Sequence, residues 1–73
     1  MKILITFYSH YEALKAKKKL LAASFPVRLI SVPRCVSSSC GTAIETEGER
    51  ERLPQFDFEA LFEKLSDEKY RTL

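Results

Sequence analysis

Phe56-Asp57-Phe58-Glu59-Ala60-Leu61-Phe62-Glu63-Lys64-Leu65 is the stretch on which the fold turns. Phe58, Leu61, Phe62 and Leu65 recur at i, i+3, i+4 and i+7, the spacing that gathers apolar side chains on one side of a helix. Asp57 is a good N-cap, and Phe56 with Leu61 would form the hydrophobic staple. The spacing predicts a helix from Phe58 to about Leu65, the second of the chain.

The residues before it supply the other elements. Lys2 to Phe7 is β-branched and aromatic with almost no polar interruption, and reads as a central strand buried on both faces. Ser9 begins a capping box, in which its hydroxyl caps the first turn and Glu12 reaches back to the Ser9 amide. The helix that follows should run from about His10 to Ala23. Its apolar stripe is Ala13, Leu14, Leu20 and Leu21, with Lys15, Lys18 and Lys19 left to solvent. Phe25-Pro26 breaks it. Val27 to Val32 is a second strand and Gly41 to Thr46 a third, while Gly48 to Pro54 reads as an exposed, charged connection. Lys69 to Leu73 can add a short terminal edge strand. The order strand-helix-strand-strand-helix(-strand), with the third strand inserted between two parallel ones, is that of an α+β ferredoxin-like two-layer sandwich. Two helices would cover one face of an antiparallel sheet, and residues 1–73 would form a single domain.

Composition narrows the function classes. Seventy-three residues lie near the lower limit for a self-sufficient core. At 45% hydrophobic and 30% charged the chain is globular rather than disordered. A formal charge of +2, without a basic stripe interleaved with aromatics, argues against a nucleic-acid partner. No apolar run approaches the ~20 residues that cross a bilayer, and Met1-Lys2 leads into a strand rather than a secretory signal, so no membrane partner is expected. Two cysteines do not make the framework of a small secreted domain. The expected setting is the cytoplasm, where a cysteine pair more often means redox, transfer or metal chemistry.

Both cysteines sit in Val32-Pro33-Arg34-Cys35-Val36-Ser37-Ser38-Ser39-Cys40-Gly41. Pro33 should end the second strand near Val32. The serines offer hydroxyls to nearby backbone, and Gly41 lets the chain take a conformation closed to other residues or lets another group approach Cys40. In the expected fold this loop shares one edge of the sheet with Ser9 and His10. The positive end of the first helix, Arg34, and a protonated His10 would favour a thiolate at Cys40, and the thiolate is the nucleophile. Competing readings remain. Cys35 could resolve Cys40, the two could form a disulfide, or both could be small apolar residues at a buried strand end. A zinc site would be incomplete with two cysteines and one histidine unless shared across a dimer. No catalytic triad or phosphate loop can be assembled, and no cofactor is implied.

Thr6-Phe7-Tyr8-Ser9, Ala13-Leu14-Lys15-Ala16, Val32-Pro33-Arg34 and Ser37-Ser38-Ser39-Cys40-Gly41 together resemble the small bacterial selenium/sulfur carrier protein-like family, over roughly residues 3 to 65. The resemblance implies a carrier thiol at Cys40 that holds sulfur or selenium as a persulfide-type adduct. Its partners would be a cysteine desulfurase-like or selenium donor and an acceptor protein. Such a chain is a carrier rather than an enzyme with its own turnover. Cys35, outside the motif, would be a resolving thiol, and Arg34, Ser38, Ser39, Gly41, Ser9 and His10 would frame the adduct. The rival class is a non-catalytic ferredoxin-like binding or dimerisation module, a homodimer in one version, whose cysteine loop is incidental. A redox sensor that uses Cys35 and Cys40 as a reversible pair is a third.

Overall fold

A strand with apolar side chains on both faces also needs hydrogen-bonding neighbours on both edges, because its buried backbone cannot turn to water. The computed structural model, which describes residues 1–33 and 41–73, meets that need. β1 (Lys2–Thr6) pairs along one edge with β3 (Thr42–Glu47) and along the other with β4 (Ala60–Ser66). β2 (Arg28–Ser31) flanks β3, and β5 (Lys69–Thr72) flanks β4. The sheet order is β2-β3-β1-β4-β5, and every pairing is antiparallel. β1 and β2 therefore run the same way with β3 inserted between them, joined through the helix α1 (His10–Ala22).

The ferredoxin-like sandwich with two helices on one face is not what forms. Among the described residues α1 is the only α-helix, and most of the stretch expected as the second helix lies in β4 instead. Leu61 opposes Ile5 and Phe62 opposes Leu4, so side chains placed on one helical stripe are dealt to opposite faces of the sheet. Leu61 is buried, Phe62 half-buried, and Phe58 and Leu65 exposed. An eight-residue helix is marginal in water without tertiary support. The same residues as a strand close the open edge of β1 and form a hairpin with β5 through Asp67-Glu68. Edge pairing outweighs helical spacing here. Asp57 accordingly caps no helix.

α1 is framed by its caps. The Glu12 amide donates to Ser9 Oγ at 3.2 Å. The Glu12 carboxylate accepts from the Tyr8 amide at 3.1 Å, one residue earlier than a regular capping box would have it. At the far end the Ser24 amide donates to the Leu21 carbonyl and the Phe25 amide to the Leu20 carbonyl, with Ser24 left-handed at φ 66°. That is a Schellman stop, which brings Phe25 beside Leu20 over the core. Phe25 in turn lies where a Cβ on Gly48 would be, 2.5 Å from its ring, and Gly48 has φ 154°. The buried face of α1 is Ala13, Ala16 and Leu20; Leu14 and Leu21, expected inside, are exposed. Small alanines let α1 settle closely over β3, and its leucines at the margin stay outside. Ile3, Ile5, Phe7, Ile44 and Leu61 complete this core.

No helix among the described residues covers the sheet's other face, yet Leu4 and Ala43 there are fully buried. Glu45 on β3 reaches across β1 to Lys64 on β4, with Nζ donating to Oε2 at 3.0 Å, and Arg28 lies 3.8 Å from its other oxygen. The bridge lays aliphatic stems over the apolar centre of the sheet. Glu45 raises the Lys64 pKa, first by accepting its hydrogen bond and then by its charge.

Two outcomes follow from these contacts. Ser24→Gly removes a side chain from a left-handed position and should raise stability by about 0.5–1 kcal/mol in urea unfolding; no gain would mean that Ser24 is unstrained. A raised lysine pKa stabilises fully below the ordinary value of 10.5, and the contribution is lost as pH climbs through the folded value. Unfolding measured from pH 9 to about 12 should therefore show a loss in the wild type that is smaller in Lys64→Met.

Candidate functional site

The registers Thr6↔Ala43, Thr6↔Ala60 and Ser31↔Thr42 bring the end of β1, the end of β2 and the starts of β3 and β4 to one end of the sheet. α1 starts there too, after a three-residue connection from β1. The Val32 amide donates to the Gly41 carbonyl at 3.0 Å, which extends the β2–β3 ladder by one rung. The connection between these strands therefore has both its feet, Pro33 and Gly41, at this end. Arg34, Cys35, Ser38, Ser39 and Cys40 lie outside the described residues.

His10 and Gly41, distant in sequence, are brought together. His10 Nδ1 lies 3.0 Å from Thr42 Oγ1, so the first residue of α1 is hydrogen-bonded to the first residue of β3, next to Gly41. Both side chains can donate or accept, and the imidazole tautomer decides which does. Ser9 is also here, its hydroxyl oxygen accepting from the Glu12 amide while its O–H can still donate. Against the described residues, a Cβ at Gly41 would meet Val32 Cγ2 at an ordinary 3.5 Å.

The electrostatics are mixed. The amino end of α1 carries about half a positive charge, which favours an anion nearby. Glu12, in the first turn, sets a carboxylate against the same end. Among the described residues no cluster of three or more His, Cys, Asp or Glu could hold a metal ion. No helix among them is long and apolar enough to cross a membrane.

Thr42 is the residue that sequence reading missed. Its only sequence signal is its place directly after Ser-Cys-Gly, and its partner is 32 positions away. Contacts of that range follow from strand order rather than from local pattern.

Residues 2–56 match the family model described as "Putative Se/S carrier protein-like". No curated protein and no solved structure matches the chain.

The His10–Thr42 bond can be weighed by a double-mutant cycle. His10→Ala, Thr42→Val and the double variant should give a coupling of about 0.5–1 kcal/mol in urea unfolding, the net value of one hydrogen bond. Additive losses would mean that the bond does not hold in solution.

Proposed function

The chain belongs to the Se/S carrier protein-like family, and from that premise we propose that Cys40 carries sulfur or selenium between a donor enzyme and an acceptor. The observation that carries this reading is the family match, whose span includes the Ser37-Ser38-Ser39-Cys40-Gly41 motif. The hydrogen bond between His10 and Thr42 supports it, since it ties the amino end of α1 to the residue two beyond Cys40.

The chemistry is a thiol exchange. The Cys40 thiolate attacks the terminal sulfur of a donor persulfide, a new sulfur–sulfur bond forms, and the donor's own thiolate leaves. The sulfur atom moves in its oxidation state, so no external oxidant or reductant is consumed. A selenium atom on a donor cysteine moves in the same way. An acceptor nucleophile then attacks the terminal atom and releases the Cys40 thiolate. The persulfide is an anion at neutral pH. Arg34 and the backbone amides from Ser38 to Gly41 would balance that charge, as a nest of donors does for other anions. His10 and Ser9 would frame the loop from α1. Cys35 would act as a resolving thiol when no acceptor is present: its thiolate attacks Cys40 Sγ, the bond from Sγ to the outer atom breaks, a Cys35–Cys40 disulfide forms, and the outer atom leaves as hydrosulfide or hydroselenide. The protein has no turnover of its own in this scheme, and it works in the cytoplasm with a desulfurase-like or selenium donor.

A second reading, a dimerisation module with an incidental cysteine loop, is favoured by one observation. No helix among the described residues covers the sheet face that bears Phe62.

One experiment separates the two. Wild type, Cys40→Ala and Cys35→Ala are incubated with a cysteine desulfurase and cysteine, or with selenocysteine and its lyase, and then weighed intact by mass spectrometry. The carrier reading expects a gain of one chalcogen atom in wild type and Cys35→Ala and none in Cys40→Ala. Equal loading of both variants sinks it. Absence of any adduct, together with a dimer in sedimentation, leaves the module.

A further inference from the structure

A groove of about 520 Å³ runs along α1 opposite the chain segment that leads into β4. Its volume lies in the range of functional binding clefts, ~300–1,000 Å³. One wall is α1, which presents Lys15 and Lys19, and Arg50 adds a third cation. The other wall is apolar and aromatic: Leu53, Phe56 and Phe58. Phe56 is wedged between Phe7, at 6.2 Å between centroids, and Phe58, edge-on at 5.8 Å. The inner end of this aromatic row is therefore anchored in the core, while Phe58 remains 41% exposed. The lining also holds two carboxylates, Glu12 and Asp57, so cations outnumber anions by three to two, and Glu12 accepts from the Tyr8 amide.

Spacing says more about the occupant. Lys15 and Lys19 are four residues apart on a helix, about 6 Å along its axis. Alternate residues of an extended chain lie about 6.6 Å apart and point the same way, while the residue between them points to the opposite side. An extended segment laid along α1 could thus set carboxylates at alternate positions against Lys15 and Lys19. The residue between would face Leu53, Phe56 and Phe58. Lys19 is held in place, since its ammonium donates to the Gln55 carbonyl across the groove at 2.8 Å, with further N–H donors to spare. Lys15 rests over the Tyr11 ring at 5.3 Å, which leaves its charge available.

We infer that this groove is a docking site for an acidic, extended segment of a partner protein, of the pattern Glu/Asp–apolar–Glu/Asp. The site is built from α1 and residues 50–58 and uses neither cysteine, so it goes beyond the carrier reading and stands or falls separately from it.

The test is a titration of the reduced, ¹⁵N-labelled full chain, without any sulfur donor, followed by amide shifts. The probes are three short peptides with Gly-Ser flanks around Glu-Phe-Glu, Lys-Phe-Lys or Glu-Gly-Glu. The Glu-Phe-Glu peptide is expected to move amides at Lys15, Lys19, Leu53, Phe56 and Phe58, and to weaken as salt is raised. The other two peptides should bind at least about tenfold more weakly. The double variant Lys15→Glu/Arg50→Glu should lose at least about tenfold in affinity while keeping a folded spectrum. Equal binding of the three peptides overturns the inference, as do unchanged affinity in the double variant and shifts centred on the helix-free sheet face around Phe62. Concentration-dependent shifts at the groove without any peptide would assign it to a second copy and overturn the inference as well. Persulfide loading is read separately, so a chain that loads but ignores the peptide loses only the docking site.

Discussion

The structure depends on the unpaired edges of β1. Ile3, Leu4, Ile5 and Thr6 are all buried, so every backbone donor and acceptor in that strand must find a partner inside the protein. β3 satisfies one edge. The other falls to β4, and once β4 is a strand the remaining residues have little choice. β5 folds back on β4 through a two-residue turn, and the charged segment 48–58 crosses back to the far end of the sheet. Among the described residues one helix is then left to cover one face. The opposite face is closed by the Glu45–Lys64 bridge laid over β1. A surface ion pair adds little energy by itself. Its worth here is as cover for Leu4.

This constraint explains how far the sequence could be read. The first half carries local signals that agree with tertiary structure: a β-branched run, a Ser9 cap, lysines outside and a proline after the helix. The element order through β3, including the insertion of β3 between β1 and β2, was legible from them. So was the short terminal strand at 69–72. The segment 58–65 was not, because its apolar residues satisfy the helical period while Leu61 and Phe62 equally suit the two faces of a strand. Only the need of β1 for a second neighbour separates the two, and that need is a long-range fact. Leu14 and Leu21 failed for a related reason. The stripe facing β3 is set by how closely the backbones approach, and Ala13 and Ala16 allow an approach that leucine would prevent.

The candidate site divides along the same line. That Ser9, His10 and Gly41 share one end of the sheet follows from strand order, and strand order was readable in this half of the chain. The particular bond that joins His10 to Thr42 was not, since nothing local marks a threonine at a strand start as a partner for a histidine 32 residues earlier. Among the described residues a conformational demand for glycine falls on Gly48, where φ is 154° and the Phe25 ring occupies the place of a side chain.

Charge balance at the α1 end bears on how an anionic adduct could be held. The helix end is worth about 0.3–1 kcal/mol to an exposed anion, within a turn of it. Glu12 occupies that first turn with a negative charge of its own, and the Tyr8 amide it captures is a donor no longer open to another anion. The helix therefore offers less to a thiolate or persulfide than its dipole alone suggests. In the carrier reading the remaining stabilisation falls to Arg34 and the amides of the loop itself, and α1 acts mainly as a buttress, through His10, for the strand on which the loop ends. The positive charge of Lys15, Lys19 and Arg50 is spent elsewhere, along a groove on the flank of the same helix. In the carrier reading, docking and transfer would thus draw on different charged groups, those of the helix flank for the one and those of the loop for the other.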